Sequence, residues 1–461
     1  MKFFRSCFLL IIILIWNSCA AFAVPAADSC MTLDARSALA GNSQLLPTAQ
    51  GVVLYAPDSD TMVYSWQPDV PLDPSGMNKI MTALLALENG NLDSIVTVTS
   101  TALNSVEIGA MAAGLKSGEM LTLRDLLYLM MVGSANDAAA VIAEHISGSQ
   151  SAFVAQMNQR ATELGCNNTN FLNPSGLSIE GQYSTARDLA KITAEALKQE
   201  TFVALFSAVE YTVPASDSTA ERHVITTNHM MSDASVRDQL DSRITGGKTG
   251  ALTTTDRSLI STAEQDGQRY LAVVMSAKGS MTSSGSAVRS FGNFSETKLL
   301  LDHAFTQYGK CQLLSENKVM AQFRVAGGEN DLAVTSRQAI SALMPKDMQE
   351  DLITFRCEEM PGGVSAPVVQ GDVVGTIQLW YDNICVAQSD LVAMHDVKQI
   401  GTSAVTLQVQ QDVNAGIFQS PITVVLLIIF GVVIFVILVA SCIRAVNMAQ
   451  YRRHRKRRQR R

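Results

Sequence analysis

Pro74-Ser75-Gly76-Met77-Asn78-Lys79 runs straight into the apolar stretch KIMTALLALE (79–88). A proline and a Ser-Gly pair form a turn, and an unbroken series of good helix formers follows. This predicts a buried helix that opens with a lysine at its first turn. Upstream, GVVLYAP (51–57) and TMVYSW (61–66) predict a hairpin around Pro57-Asp58-Ser59-Asp60. Downstream, LRDLLYLMMV (123–132) and DAAAVIAEHI (137–146) predict two more helices. Thr185 to Lys198 predicts a fourth, with Thr185 and Asp188 at capping-box spacing. RYLAVVMSA (269–277) is a fully apolar β run, as a central strand requires.

Two short motifs follow the opening lysine in order. Ser134-Ala135-Asn136 lies within VGSANDAA between two predicted helices, and Lys248-Thr249-Gly250 lies within ITGGKTG ahead of the apolar strand. Alone, Ser134 or Asn136 reads as a helix N-cap and Lys248 as a surface turn. The ordered set, led by a lysine at a helix start, is far more specific, and penicillin-recognising serine enzymes share it.

KIMTALLALENG, SANDAA, NPSGLSIEGQYSTARDLAKI (173–192) and GGKTG together resemble the D-alanyl-D-alanine carboxypeptidases, the low-molecular-mass penicillin-binding proteins of peptidase family S11. APVVQGDVVGTIQLWYDNICVAQSDLVAM (366–394) resembles that family's C-terminal β domain. The resemblance spans about Thr48 to Val397. It implies an α/β (α+β) serine β-lactamase/transpeptidase-like catalytic domain plus a small all-β domain. It implies acyl transfer on peptidoglycan stem peptides ending in D-Ala-D-Ala, reactivity with β-lactams, and no cofactor or metal. By the same resemblance, Lys79 is the general base, which must be held neutral. Ser134 relays protons with it, Asn136 holds the substrate peptide, and Lys248 and Thr249 bind the terminal carboxylate. Gly250 lets its strand approach the substrate.

The family pattern is Ser-x-x-Lys, and three residues before Lys79 stands Gly76, which has no side chain to acylate. Ser75 is one residue early; i and i+4 share a helix face, but from a different height. Losing such a serine costs on the order of 10⁶ in rate in a serine protease. Three readings follow: a pseudoenzyme that still binds stem peptides, an active carboxypeptidase that uses Ser75, and an unrelated extracellular binding or receptor ectodomain. The glycosylation tripeptides Asn167-Asn168-Thr169 and Asn293-Phe294-Ser295 bear on the third. Restoring serine at Gly76 is expected to be neutral for folding or slightly favourable. Thr255-Asp256-Arg257 occupies the stretch where the family often has Ala-Gly; Arg257 is expected to face water, and reaching into the cleft is the alternative.

The ends predict export and anchoring. Lys2 and Arg5, an apolar run from Phe8 to Trp16, and Ala21-Phe22-Ala23 form a signal peptide over 1–23. Ile422 to Ile443 holds 22 uncharged residues, enough for one C-terminal transmembrane helix. The tail 444–461 carries nine Lys or Arg and no acid, which places it on the cytoplasmic side against anionic lipid. The whole chain has 35 basic and 42 acidic residues; without the signal and the tail, 24 basic face 42 acidic, a balance of −18. Such a surface repels nucleic acid. Between signal and anchor the expected divisions are an N-terminal segment (24–47), the catalytic-type domain (48–308), the β domain (309–400) and a polar stalk (401–420). Five cysteines lie outside, with no metal-binding spacing among them. Cys357 with Cys385 is the preferred disulfide, and all five free is the alternative.

Overall fold

The computed structural model describes residues 30, 32–34, 39, 45, 47–215, 219–232, 237–283 and 288–400. The predicted signal peptide, stalk, transmembrane segment and basic tail lie outside the described residues. Among the described residues no helix is long and apolar enough to cross a membrane.

The predicted hairpin forms as β1 (Gly51–Ala56) and β2 (Thr61–Trp66), antiparallel, with Val52 opposite Trp66. Three long strands follow much later in the chain: β3 (Ile244–Ala251), β4 (Asp256–Gln265) and β5 (Gln268–Lys278). They join the hairpin in one five-stranded antiparallel sheet, in the order β2-β1-β5-β4-β3. The apolar run 269–277 therefore lies at the centre. Both of its faces are covered, which explains why its sequence shows no alternation.

Helices pack beside this sheet. They are α1 (Asn78–Asn89), α2 (Leu123–Met131), α3 (Asn136–Ser147), α4 (Gln150–Glu163), α5 (Ala186–Ala196), α6 (Glu200–Ser207) and α7 (Gly292–Gln307). Helix α1 runs through the largest core cluster, and Ile80, Met81, Leu84 and Leu85 are all buried there. Each such side chain contributes about 1.5–3 kcal/mol through burial. That anchorage holds the polar first turn of α1 in place. The expected capping box at α5 is only half built. Thr185 accepts a hydrogen bond from the Asp188 N–H at 3.1 Å, but the Asp188 carboxylate turns to the Asn168 N–H and the Thr169 hydroxyl. A full box forms instead at α2, between Thr122 and Asp125.

The chain falls into two units: residues up to 321 with 333–361 and 373–394, and 322–332 with 362–372 and the chain from 395. Within the first unit, but for Leu332 at the start of β6, the strands after α7 include β6 (Leu332–Ser336), β7 (Ile353–Glu359), β8 (Val373–Tyr381) and β9 (Ile384–Ala393). These lie side by side in the order β6-β9-β8-β7. In the second unit, Val325–Ala326 pairs in parallel with Val364–Ser365, and Val368 bridges Val397.

This sheet corrects the disulfide expectation. Cys357 on β7 lies opposite Ile377 of β8, while Cys385 on β9 lies opposite Trp380 on the other side of β8. Two strand spacings, roughly 10 Å, separate the two cysteines, beyond disulfide reach. Cys385 bonds Cys30 instead, and Cys166, Cys311 and Cys357 remain as thiols. Asn293 of the second glycosylation tripeptide is buried and its amide donates to the Ser258 carbonyl, so it is closed to modification.

Candidate active site

The three motifs meet in one cleft of about 510 Å³. Its floor is the entry to α1, one wall is the turn before α3, and the other is the edge strand β3. Each predicted site residue is there: Ser75, Gly76, Lys79, Ser134, Asn136, Thr249 and Gly250 line the cleft, and Lys248 is buried behind it.

Lys79 is 1% exposed, and its ammonium donates to Asn136 Oδ1 at 2.7 Å and to the Ser175 carbonyl at 2.5 Å. Burial and the nearby Lys248 charge push its pKa well below the ordinary lysine range; Asp137 opposes the shift. A lysine so placed is available as a neutral base. Asp137 itself caps the loop above the cleft, accepting from the Ala113 N–H at 2.9 Å and the Leu115 N–H at 3.0 Å.

Lys248 is likewise buried. Its ammonium donates to Ser134 Oγ at 2.9 Å and to the Thr249 carbonyl at 3.1 Å, and burial lowers its pKa to about 7. Ser134 sits at φ 57°, a left-handed conformation in which only a tight turn holds a non-glycine residue. That turn aims the hydroxyl at Lys248. Thr249 points into the cleft, its hydroxyl 2.5 Å from that of Thr227.

Gly76 stands where the family pattern expects the nucleophile, and the space for a side chain there is closed. A Cβ at Gly76 would lie 2.9 Å from the Thr249 carbonyl oxygen and 3.7 Å from Ser134 Oγ. Real Cβ atoms essentially never approach a neighbour within 3.0 Å, so the expectation that serine fits here at no cost is corrected: β3 has to withdraw. The same strand engages Ser75, whose hydroxyl donates to the Ala251 carbonyl at 3.0 Å and accepts from the Ala251 N–H at 2.8 Å. Ser75 adopts φ 51°, and its N–H donates to Asp73 Oδ1 at 2.8 Å. Ser75 therefore serves as a clasp between the α1 entry and β3. Gly250 permits this closeness, since a Cβ there would lie 3.2 Å from both Ser75 Cβ and Ser75 Oγ. The close approach anticipated for Gly250 is thus an approach to Ser75 and Pro74.

Several contributors escaped the sequence reading. The Ser175 carbonyl that holds Lys79 belongs to NPSGLS, and Gly176 beside it has φ 79°, with a virtual Cβ 1.7 Å from the Ser75 carbonyl oxygen. The Asn-Pro-Ser-Gly turn signal was available, but no local rule assigns a backbone carbonyl to a lysine 96 residues away. Thr226, Thr227, His229 and Phe291 also line the cleft, and so does Arg257. Of the two placements expected for Arg257 the cleft is the one realised: the half-buried side chain lines it, with the guanidinium over the Phe291 ring, 5.0 Å from the centroid.

Comparison with known proteins agrees with this architecture. Residues 40–279 match the D-alanyl-D-alanine carboxypeptidase family, and residues 308–399 match the C-terminal domain of penicillin-binding protein 5. D-alanyl-D-alanine carboxypeptidase DacF of Bacillus subtilis is 31% identical over 364 residues, 78% of this chain and 88% of that protein. D-alanyl-D-alanine carboxypeptidase DacC of Escherichia coli is 27% identical over 72% of this chain and 80% of its own. The crystal structure of penicillin-binding protein 5 from Haemophilus influenzae superposes with a TM-score of 0.62 at 26% identity, covering 78% of this chain and all of that one. With a family model matching residues 40–279 and a relative 31% identical over 88% of its length, this chain belongs to the D-alanyl-D-alanine carboxypeptidase family.

Proposed function

We propose that the protein binds peptidoglycan stem peptides ending in D-Ala-D-Ala without forming an acyl-enzyme. The observation that carries this reading is the state of position 76. The nucleophile is absent and the Thr249 carbonyl closes the space, while the surrounding apparatus is fully connected: Lys79 to Asn136, Lys248 to Ser134, Thr249 to Thr227. A cleft that keeps its shape but lacks the attacking oxygen retains the binding part of the cycle and loses the covalent part. In this reading Ser134 and Asn136 shape one wall of the peptide site, Lys248 and Thr249 the opposite wall, and Lys79 the floor between them. β-lactams bind only reversibly. A carboxypeptidase that uses Ser75 is the second reading, and the double engagement of the Ser75 hydroxyl by Ala251 speaks against it.

The uncharged stretch 422–443 and the basic tail support attachment to the membrane by the C-terminus, with the cleft outside and the tail on anionic lipid. Incubating the full-length protein with a fluorescent penicillin, denaturing it and mapping any adduct tests the reading. No covalent label, together with measurable binding of a D-Ala-D-Ala peptide, is expected. A stable adduct on Ser75 would overturn it.

A further inference from the structure

Building on the cleft as a peptide-binding groove, we propose that Arg257 is the residue that grips the ligand's carboxylate, in the part of the cleft it shares with His229 and Phe291. The lysine of the Lys-Thr-Gly motif is turned away from this task. Lys248 is 1% exposed, and its ammonium is engaged by Ser134 Oγ and the Thr249 carbonyl. Arg257 lines the cleft itself and is far less buried than Lys79 and Lys248.

Its placement follows from the strand register. Arg257 on β4 pairs with Ala251 on β3, one residue beyond Lys248-Thr249-Gly250, and paired residues of neighbouring strands project to the same face. Ala251 lines the cleft, and so does Arg257. The Arg257 Nε–H donates to the Thr254 carbonyl at 2.9 Å, and the guanidinium plane rests over Phe291. One of five N–H donors is thereby used, and the fork is fixed in orientation. No carboxylate among the described residues pairs with it. The adjacent Asp256 is taken by the Ser276 hydroxyl at 2.8 and 3.0 Å.

A half-buried guanidinium without an acid carries a desolvation cost that an anionic ligand relieves. Burial lowers the Arg257 pKa, in keeping with an uncompensated charge. Burial and the Arg257 charge also lower the pKa of His229, so the neighbouring ring adds polarity to the pocket without adding a second charge. A fixed fork in the cleft that Thr227 and Thr249 also line fits a planar carboxylate, which it holds through two parallel bonds.

The test measures calorimetric binding of three peptides to the full-length protein in detergent: acetyl-Lys-D-Ala-D-Ala acid, its C-terminal amide, and the L-Ala-L-Ala acid. The parent is expected to favour the D,D acid over the amide by roughly 10- to 100-fold, the range of one charge-assisted contact. Arg257→Gln is expected to erase that preference, the acid losing roughly 10- to 100-fold more affinity than the amide, and Arg257→Lys to keep part of it. Equal binding of acid and amide by the parent, or a preference that survives Arg257→Gln, overturns the assignment while D-Ala-D-Ala binding stands. An L,L acid that binds as tightly as the D,D acid, and depends on Arg257, upholds the assignment and overturns the D-Ala-D-Ala reading. Failure of all three peptides to bind overturns both.

Discussion

Gly76→Ser asks most directly whether the cleft lacks anything besides an oxygen atom. The substitution puts a hydroxyl three residues before Lys79, at the position the family pattern requires. Its Cβ begins 2.9 Å from the Thr249 carbonyl oxygen, so β3 has to retreat by several tenths of an ångström. Ser75 resists that retreat through its paired bonds to Ala251. Overpacking of this kind typically costs 1–3 kcal/mol, so the variant is expected to melt below the parent yet remain folded. The chemical gain runs the other way: a nucleophilic serine is worth on the order of 10⁶ in rate in a serine protease, or about 8 kcal/mol of barrier. Lys79, its pKa depressed by burial and by Lys248, is in place to take the proton. Fluorescent penicillin labelling, read on a denaturing gel alongside a thermal melt, is the assay. The parent is expected to show no band and Gly76→Ser a covalent one mapped to the introduced hydroxyl. A folded Gly76→Ser protein that stays unlabelled would refute the claim that the rest of the apparatus is chemically competent. A labelled parent that loses its label on Ser75→Ala would refute the pseudoenzyme reading outright.

Stability should rise with pH above neutrality. Lys248 has a folded pKa of about 7 against an ordinary 10.5, so between those values the unfolded chain binds more protons than the folded one. The gain is up to about 1.4 kcal/mol per pH unit for one group; melts at pH 7 and 9 should show it, and Lys248→Met should flatten the rise. An unchanged slope in that variant would show that Lys248 does not titrate there. Non-reducing peptide mapping should recover a Cys30–Cys385 cross-link and alkylated Cys357; a Cys357–Cys385 peptide would contradict the strand order β9-β8-β7. Protease added to intact cells should digest the body of the protein and spare the basic tail, and protection of the body would refute attachment by a C-terminal span with the cleft outside.

Much of the fold was legible in the residues because it rests on local rules. The 269–277 run declared a strand buried on both faces, and Pro74 to Glu88 declared a turn into a buried helix. The hairpin around Pro57–Asp60 followed from two short β patterns and a turn between them. Helices α4, α6 and α7 were not foreseen. In α7, polar residues such as Asn293, Glu296 and Thr297 are buried among apolar ones, so the one-sided periodicity that marks a surface helix is blurred.

The site divides the same way. By itself, the sequence determined which residue types gather at the cleft and that the one at position 76 has no side chain, because motif order and spacing along a chain are one-dimensional facts. Only the tertiary structure decided where the charges point and how much room they have. It turned Lys248 inward to Ser134, brought Arg257 into the cleft, engaged Ser75 with Ala251, and set the Thr249 carbonyl over Gly76. Each of these depends on contacts between residues tens to hundreds of positions apart, and on differences of a few tenths of an ångström. Close packing enforces such differences, and no local pattern encodes them.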